Sequence, residues 1–314
     1  MSRESAIEMV ATVPAERINL EYIKTVFMEL RKLLDAFETS LLFTKEDWYI
    51  QPIVGKMQRL YSFTPDTKEQ WQQELPAMLS DCESVSVLMW SENGKWITAW
   101  GRFFDIHMAS ERHDNYKERE IRIHIPCSLW NYADSQVAIA AFQKTCCMLH
   151  ATYAAVDQEW LCAIGLNSAP FMYLAEHPDR TCYETTLPAI CWGQFVPLWR
   201  IHGQEEPQAL IQSAPGCRST LLEQDGETFA WIQLEDNIWK PKLKTRKALR
   251  EHFKASFPKL DLRRIAECEA RDTIGLWRQE IEWMPLLDEE RAQVDALVQE
   301  IEPAKSASAT TESP

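Results

Sequence analysis

The apolar residues near the start of this 314-residue chain recur every three or four positions in two stretches. From Tyr22 to about Phe37, this spacing places one apolar stripe on a helix whose other face is charged. A second helix is expected from Thr67 to Leu79, with Pro76 as the point where it kinks or ends early. The pattern therefore predicts a helical N-terminal region over residues 1–82.

Alternation with a period of two, which is typical of strands, replaces the helical spacing in the next part of the chain. Two β-rich runs at 84–90 and 96–100 flank Asn93-Gly94. An Asn-Gly pair supplies the positive φ angles of a tight hairpin. Isoleucines then alternate with polar residues over 121–125, which predicts a third strand that is ended by Pro126.

A second hairpin and further helices are expected in the rest of the chain. Asp225-Gly226 separates β-rich runs at 219–222 and 228–234. Helical spacing predicts three helices, at 135–149, 245–256 and 288–301. The stretch Leu187–His202 is compatible with either strand or helix.

These elements predict an α+β fold in which an antiparallel sheet is built from hairpins and helices pack on one face. The α+β body is expected to span residues 83–302 and to form two closely packed lobes. Small polar residues dominate from Pro303 onward, which predicts a disordered tail over 303–314.

Glycine usage excludes the common phosphate-binding loops. The chain has nine glycines, and the nearest two are Gly94 and Gly101. GxGxxG and GxxxxGK[ST] loops need clustered glycines so that backbone N–H groups can approach a phosphate. No cofactor is therefore expected. Thirteen tryptophans instead favour a packed body with aromatic contact surface.

The net charge of the chain limits the classes of partner that are expected. Forty-seven acidic and thirty-three basic residues give a net charge of -14, which disfavours nucleic acid and anionic membranes and favours a basic partner. The segment Lys240–Arg264 is the exception, because it holds ten bases and two acids. It is either a solvated helix face with salt bridges to the acidic body or a site for phosphate, nucleic acid or a protein partner.

The cysteines and the N-terminal residues provide evidence about the cellular compartment of the protein. Nine cysteines occur without a CxxC pair, so a zinc site is not expected. Several cysteines have apolar neighbours and resemble buried free thiols, which fits a reducing cytoplasm. Acidic residues interrupt the N-terminal stretch where a signal peptide needs an apolar run, and no stretch approaches ~20 apolar residues. A cytoplasmic protein that does not span a membrane is expected.

Two groups of residues are the candidate centres of an enzyme. Cys191-Trp192 matches the Cys-Trp pair of papain-like and transglutaminase-like enzymes, but no Gly-Gln precedes it, and a buried thiol is the simpler interpretation. His107, His113 and His124 could converge on a metal. A polar sheet face formed by Arg102, Arg122 and His124 is the alternative. No catalytic or metal-binding residue is therefore predicted, and an enzyme assembled only in three dimensions is the competing class.

A tryptophan-rich stretch beside the basic segment contains the candidate partner-binding residues. A partly exposed cluster of tryptophan and arginine would be a recognition surface, whereas core packing is the ordinary role of each tryptophan. The candidates are Trp192, Trp199, Trp231, Trp239, Arg246 and Arg250.

Several of these features lie together in residues 84–240. They are the Asn-Gly hairpin, the central helix, the Pro-Ala-Ile-Cys-Trp-Gly-Gln-Phe run at 188–195, and the hairpin that ends in Trp231–Leu234. This arrangement resembles the α+β immunity proteins that neutralise toxins of polymorphic-toxin and type VI secretion systems. The resemblance implies a cytoplasmic, non-enzymatic inhibitor that occludes a cognate toxin, with association aided by its acidic surface. A general protein-binding module is the alternative within the same class.

Overall fold

Strands and helices both occur in the computed structural model, which describes residues 6–14, 48–54, 57–58, 61–63, 84–90, 96–102, 118–126, 130, 135–158, 186–240, 242–270 and 285–309. The fold is α+β, as the sequence predicted. The chain divides into two compact units. Unit 1 comprises residues 1–159, 194–197 and 222–231, and unit 2 comprises residues 160–193, 198–221 and 232–314.

Within the described residues, 11 strands form one sheet. They are β1 (Ala6–Pro14), β2 (Trp48–Val54), β3 (Met57–Gln58), β4 (Tyr61–Phe63), β5 (Ser84–Trp90), β6 (Trp96–Arg102), β7 (Glu118–Pro126), β8 (Tyr153–Gln158), β9 (Gly193–Pro197), β10 (Cys217–Gln224) and β11 (Glu227–Leu234). The strand order is β10-β11-β9-β8-β1-β7-β6-β5-β2-β3, and β4 pairs with β2. From β8 through β1, β7, β6 and β5 to β2, every neighbouring pair is antiparallel.

Among the described residues, three of the five helices begin within two residues of a predicted start, and the other two were not predicted. They are α1 (Ser135–Met148), α2 (Pro207–Gln212), α3 (Leu243–His252), α4 (Leu262–Ala270) and α5 (Asp288–Ala309), with 3-10 turns at Leu198–Arg200 and Lys254–Ser256. The stretch Leu187–His202, which the sequence left open, contains the strand β9 followed by one 3-10 turn. The buried face of α1 consists of Ala138, Ile139, Phe142, Thr145, Cys146 and Cys147.

Strand β1 lies in the middle of the sheet, between β7 and β8. Met9 and Val10 point to opposite faces, and both are fully buried. Its near-continuous apolar run is typical of a strand that is covered on both faces. The sequence predicted a helical region over 1–82, but every described residue of that region lies in a strand, β1 to β4, which corrects the prediction for those residues. The helices predicted at 22–37 and 67–79 lie outside the described residues.

Both predicted hairpins are confirmed. Strands β5 and β6 pair from Ser84–Arg102 to Trp90–Trp96. Strands β10 and β11 are joined by Asp225 and Gly226, whose φ angles are 51° and 81°. Two positive φ angles are the signature of a type I′ turn, which suits the twist of a hairpin. The predicted third strand is also present as β7, with Pro126 as its last residue.

The strand register shows which residues of β1, β7 and β6 are aligned. Met9, Ile123 and Ala99 are aligned across β1, β7 and β6 on one face. Glu8 and His124 occupy the same two strands on the opposite face. In the register, Arg122 is aligned with Val10 of β1 and Trp100 of β6, so the polar face expected over Arg102, Arg122 and His124 stays a prediction.

Helices α4 and α5 pack against each other in unit 2 through Ile265, Ala266 and Val294, and Leu286, which precedes α5, belongs to the same cluster. Helix α5 continues beyond Ile301 to Ala309. The prediction of a disordered tail over 303–314 is therefore corrected for 303–309, and residues 310–314 lie outside the described part. The alanines of the tail are strong helix formers, and adding residues to a helix that is already nucleated is favourable.

Candidate functional site

An exposed tryptophan distinguishes the surface of unit 2. Among the residues that the structure describes, the exposed large apolar side chains are Val137, Trp199 and Leu243, and Trp199 is the aromatic one. The Trp199 residue is 53% exposed. It lies in the 3-10 turn at Leu198–Arg200, which is closed by a hydrogen bond of 3.0 Å from the Ile201 N–H to the Leu198 carbonyl. The ring is therefore presented from a defined backbone.

The guanidinium of the neighbouring arginine lies beside this ring. Arg200 is only 2% exposed, and its Nη1 donates a hydrogen bond of 2.8 Å to the Thr186 carbonyl. The guanidinium carbon lies 4.9 Å from the centroid of the Trp199 ring, a distance at which the ring quadrupole attracts a cation. A side chain that is ordered before binding loses less entropy when a partner covers it. Trp199 with the Arg200 guanidinium beside it is hereafter the Trp199 anchor.

An acidic loop follows the anchor in the chain. Residues 202–206 are all exposed and include Glu205 and Glu206. The loop is tied back at its start, where the His202 N–H donates to Ser256 Oγ at 2.7 Å and the Ser256 hydroxyl donates to the His202 carbonyl at 3.1 Å. Ser256 is fully buried. The anchor is therefore followed by an acidic segment whose entry is fixed to the core of unit 2.

The predicted cluster of four tryptophans does not form a surface. Trp192 and Trp231 are buried, and Trp239 is half-buried. The Trp192 indole Nε1–H donates a hydrogen bond of 2.7 Å to the Asp236 carbonyl, so its polar atom is satisfied inside the protein. The proposal that Trp192 and Trp231 contact a partner is corrected, because neither ring is accessible.

The two arginines that were predicted to contact a partner are also buried. Arg246 Nη1 donates to the Ile190 carbonyl. Arg250 donates from Nη1 to the Pro285 carbonyl at 2.8 Å and from Nη2 to Glu290 Oε1 at 2.8 Å. Both side chains therefore connect α3 to other segments of unit 2, which corrects their assignment as partner-binding residues.

Five of the ten bases of the segment Lys240–Arg264 form salt bridges with acidic residues. Its ion pairs join Lys242 to Asp236, Lys247 to Asp288, Arg250 to Glu290, Lys254 to Glu289 and Arg263 to Glu267. The acids Asp288, Glu289 and Glu290 form the first turn of α5, where negative charge also favours the helix N-terminus. The salt-bridge interpretation of the segment is therefore confirmed for these residues.

Burial argues against Cys191 as a catalytic nucleophile. Cys191 is 1% exposed, so a substrate does not reach its thiol in this conformation. Burial raises the pKa of Cys147 to about 11. Burial, together with the charges of Glu235 and Asp236, raises the pKa of Cys217 to about 12. Both thiols are protonated at neutral pH and are weak nucleophiles.

Of the three histidines considered as metal ligands, His107 and His113 lie outside the described residues. His124 lies in β7, with Glu8 and Thr98 as its partners in the flanking strands. Among the described residues, no group of three or more His, Cys, Asp or Glu side chains is placed to hold a metal ion. No helix in the described ranges combines the length and the hydrophobicity that crossing a bilayer requires.

Sequence reasoning missed two buried carboxylates at the centre of the sheet. Glu8 of β1 and Asp157 of β8 stand directly opposite each other in the register, and both are buried. Asp157 Oδ1 accepts a hydrogen bond of 2.9 Å from the Gln158 N–H. The available signal was a single acid inside an apolar run, as in Ile7-Glu8-Met9.

The fold and the site together define an α+β protein with an exposed tryptophan beside a buried arginine. No protein-family model matches the chain, and no curated protein matches it. Among solved structures, Pseudomonas aeruginosa T6SS protein PA0821 is similar at a TM-score of 0.48 and 10% sequence identity, over 81% of this chain and 74% of that chain.

Proposed function

We propose that this chain is a cytoplasmic, non-enzymatic immunity protein that binds and neutralises a cognate bacterial toxin. The Trp199 anchor is the observation that carries the proposal. Tryptophan is the residue type most enriched among the side chains that dominate protein–protein binding energy. Here one such ring is accessible and lies beside a buried arginine, and a contact of this kind that restricts the ring before binding would favour tight binding.

The charge of the chain indicates the chemistry of the partner. The net charge is -14, and the exposed acids Glu205 and Glu206 follow the anchor in the chain. A basic surface would be attracted to this region over a distance of about 10 Å at ordinary salt, and such attraction accelerates encounter. We therefore expect a toxin surface that presents lysine or arginine around a notch for the indole.

The test is co-expression and co-purification with the product of the neighbouring gene. The wild-type chain should form a stable stoichiometric complex and rescue growth. The variant Trp199→Ala should weaken the complex by about thirtyfold, the equivalent of the ~2 kcal/mol that marks a binding hot spot. Leu243→Ala is the matched control, because Leu243 is 52% exposed in the same unit but lies at the start of α3.

The outcomes distinguish a failure of the proposed immunity function from a failure of Trp199 as its binding site. Absence of both complex and rescue with the wild-type chain contradicts the immunity proposal. A complex that tolerates Trp199→Ala as well as it tolerates Leu243→Ala retains the function but excludes the anchor as its main contact. Near-ultraviolet circular dichroism of both variants, matching that of the wild-type chain, would establish that neither result reflects unfolding.

A further inference from the structure

Helix α3 has an exposed face opposite the face that it buries. Leu249 and Arg250 belong to the buried side of the helix. Lys244, Ala248 and Glu251 are all exposed, and residues three or four positions apart lie next to one another on a helix surface. These three residues therefore form one row along the outer side of α3, which is hereafter the α3 face.

The α3 face is basic at its start and acidic at its end. Lys244 takes part in none of the salt bridges that join five bases of the segment Lys240–Arg264 to acidic residues. Glu251 lies 4.0 Å from the Lys254 Nζ, but Lys254 also donates a hydrogen bond to Glu289, and the Glu251 side chain stays 60% exposed. Both charged groups of the α3 face are thus accessible to another molecule.

Apolar surface accompanies these charges. Leu243 is the first residue of α3 and is 52% exposed, so a partner that covers it removes apolar surface from water, which is favourable. Ala248 lies between the two charged residues, and its short side chain permits the close approach of a second helix, because the distance between packed helices depends on the side chains at the contact. The α3 face with Leu243 beside it is therefore suited to contact with another helix.

The order of the charges makes the α3 face complementary to itself. Lys244 precedes Ala248 by four positions, and Glu251 follows it by three. When a second α3 lies antiparallel to the first, with a two-fold axis beside Ala248, Lys244 of each copy lies opposite Glu251 of the other. Two-fold symmetry repeats each contact, so this arrangement forms two Lys–Glu pairs. A parallel arrangement would instead place like charges together, which is unfavourable.

We propose that the α3 face is a dimerisation surface and that its partner is the α3 face of a second copy of this chain. Charge complementarity favours a second copy, because a uniformly acidic or uniformly basic partner would be attracted to only one end of the face. Helix α3 has 10 residues and is about 15 Å long, so the contact is small and the dimer is weak. The surface does not include Trp199, and the inference does not depend on the proposed immunity function.

Sedimentation velocity of the purified full-length chain, from about 1 to about 300 µM, tests the dimer. Salt at about 0.15 M limits the range of electrostatic interactions to about 8 Å, which reduces the repulsion between two chains that each carry a net charge of -14. The wild-type chain should change from monomer towards dimer within this concentration range. Lys244→Glu and Glu251→Lys should each raise the dissociation constant by about tenfold, because symmetry replaces two attractive pairs by two repulsive ones.

The double variant that combines Lys244→Glu with Glu251→Lys exchanges the charges and should restore dimerisation. Both replacements suit the helix dipole, with the acid near the start of α3 and the base near its end, so the fold should be retained. Ala248→Arg should abolish the dimer by blocking close approach, whereas the control Lys259→Glu, which reverses an exposed base outside α3, should leave the dissociation constant unchanged. A wild-type chain that is monomeric throughout would overturn the proposal, as would a dimer that tolerates Ala248→Arg or a double variant that dimerises no better than the single ones.

Discussion

The ion pair between Arg250 and Glu290 permits a quantitative test of the packing in unit 2. Glu290 accepts two hydrogen bonds from the Arg250 guanidinium, and its Oε2 also accepts a hydrogen bond of 2.8 Å from the Leu287 N–H at the start of α5. Replacing Glu290 by glutamine leaves the Arg250 charge buried opposite a neutral amide. We therefore expect a large loss of stability from a single isosteric change.

The expected magnitude follows from the burial of the pair. The Arg250 side chain is 4% exposed and the Glu290 side chain is 17% exposed. Removing one partner of a buried ion pair costs about 3–5 kcal/mol, and a hydrogen bond to a charged group contributes about 1.5–3 kcal/mol. Because glutamine retains one oxygen acceptor and Glu290 keeps some solvent contact, we expect Glu290→Gln to lower the free energy of unfolding by about 3 kcal/mol.

Urea unfolding followed by tryptophan fluorescence and circular dichroism measures this loss. Glu289→Gln is the matched control, because Glu289 is in the same turn of α5 but pairs with the exposed Lys254. That control should lower the free energy of unfolding by no more than about 1 kcal/mol, because it removes only an exposed ion pair and one charge at the helix N-terminus. A loss below about 1 kcal/mol for Glu290→Gln would refute the view that this pair holds α3 to α5.

The same pair predicts how stability depends on pH. Burial opposes the ionisation of Glu290, but the hydrogen bonds and charge of Arg250 outweigh it, so the pKa of Glu290 lies below its ordinary value. A lowered native pKa means that the carboxylate contributes stability above about pH 4.3 and loses that contribution as the pH falls through the native pKa. The wild-type chain should therefore lose more stability than Glu290→Gln when the pH is lowered from about 5.

Two further substitutions and one labelling reaction test individual features of the structure. Phe229→Ala should cost about 3–5 kcal/mol in urea unfolding, because the buried ring stacks on Phe195 at a centroid distance of 4.9 Å, and a loss under about 1 kcal/mol would contradict this packing. Gly226→Ala should cost roughly 1 kcal/mol from the φ angle of 81° alone, since a Cβ meets no atom within 4 Å, and an unchanged melting temperature would be inconsistent with the turn. Burial raises the pKa of Cys146 and Cys147, so both thiols should resist maleimide in the native protein and react in urea. Rapid native labelling, mapped by mass spectrometry, would count against that burial.

Local chemistry made the hairpins predictable. The pair Asp225-Gly226 specifies a tight turn irrespective of the rest of the chain, and the Asn93-Gly94 pair predicted that the strands on either side of it are neighbours. Strand β1 was not predicted, because its apolar run is short and acquires its structure from pairing with β7 and β8, which are more than a hundred residues away. Helical patterns elsewhere in 1–82 then dominated the prediction for that region.

The candidate site was predictable only as a set of residue types. Trp199 was named with three other tryptophans, and the amino acid alone does not determine which ring lies at the surface. The distinction depends on long-range contacts, such as the hydrogen bond from Trp192 to the Asp236 carbonyl. Arg250 was likewise misassigned because Glu290, the acid that neutralises it, lies 40 positions later.

The central place of β1 has a consequence for the synthesis of the protein. During synthesis this strand leaves the ribosome well before Tyr153, whose carbonyl accepts the hydrogen bond from Thr12 Oγ1 and which follows 141 positions later. Until β7 and β8 emerge, β1 has both of its hydrogen-bonding edges open, which is the condition that promotes pairing with other chains. The order of translation therefore makes the nascent chain, and not the finished protein, the species most exposed to aggregation through this strand.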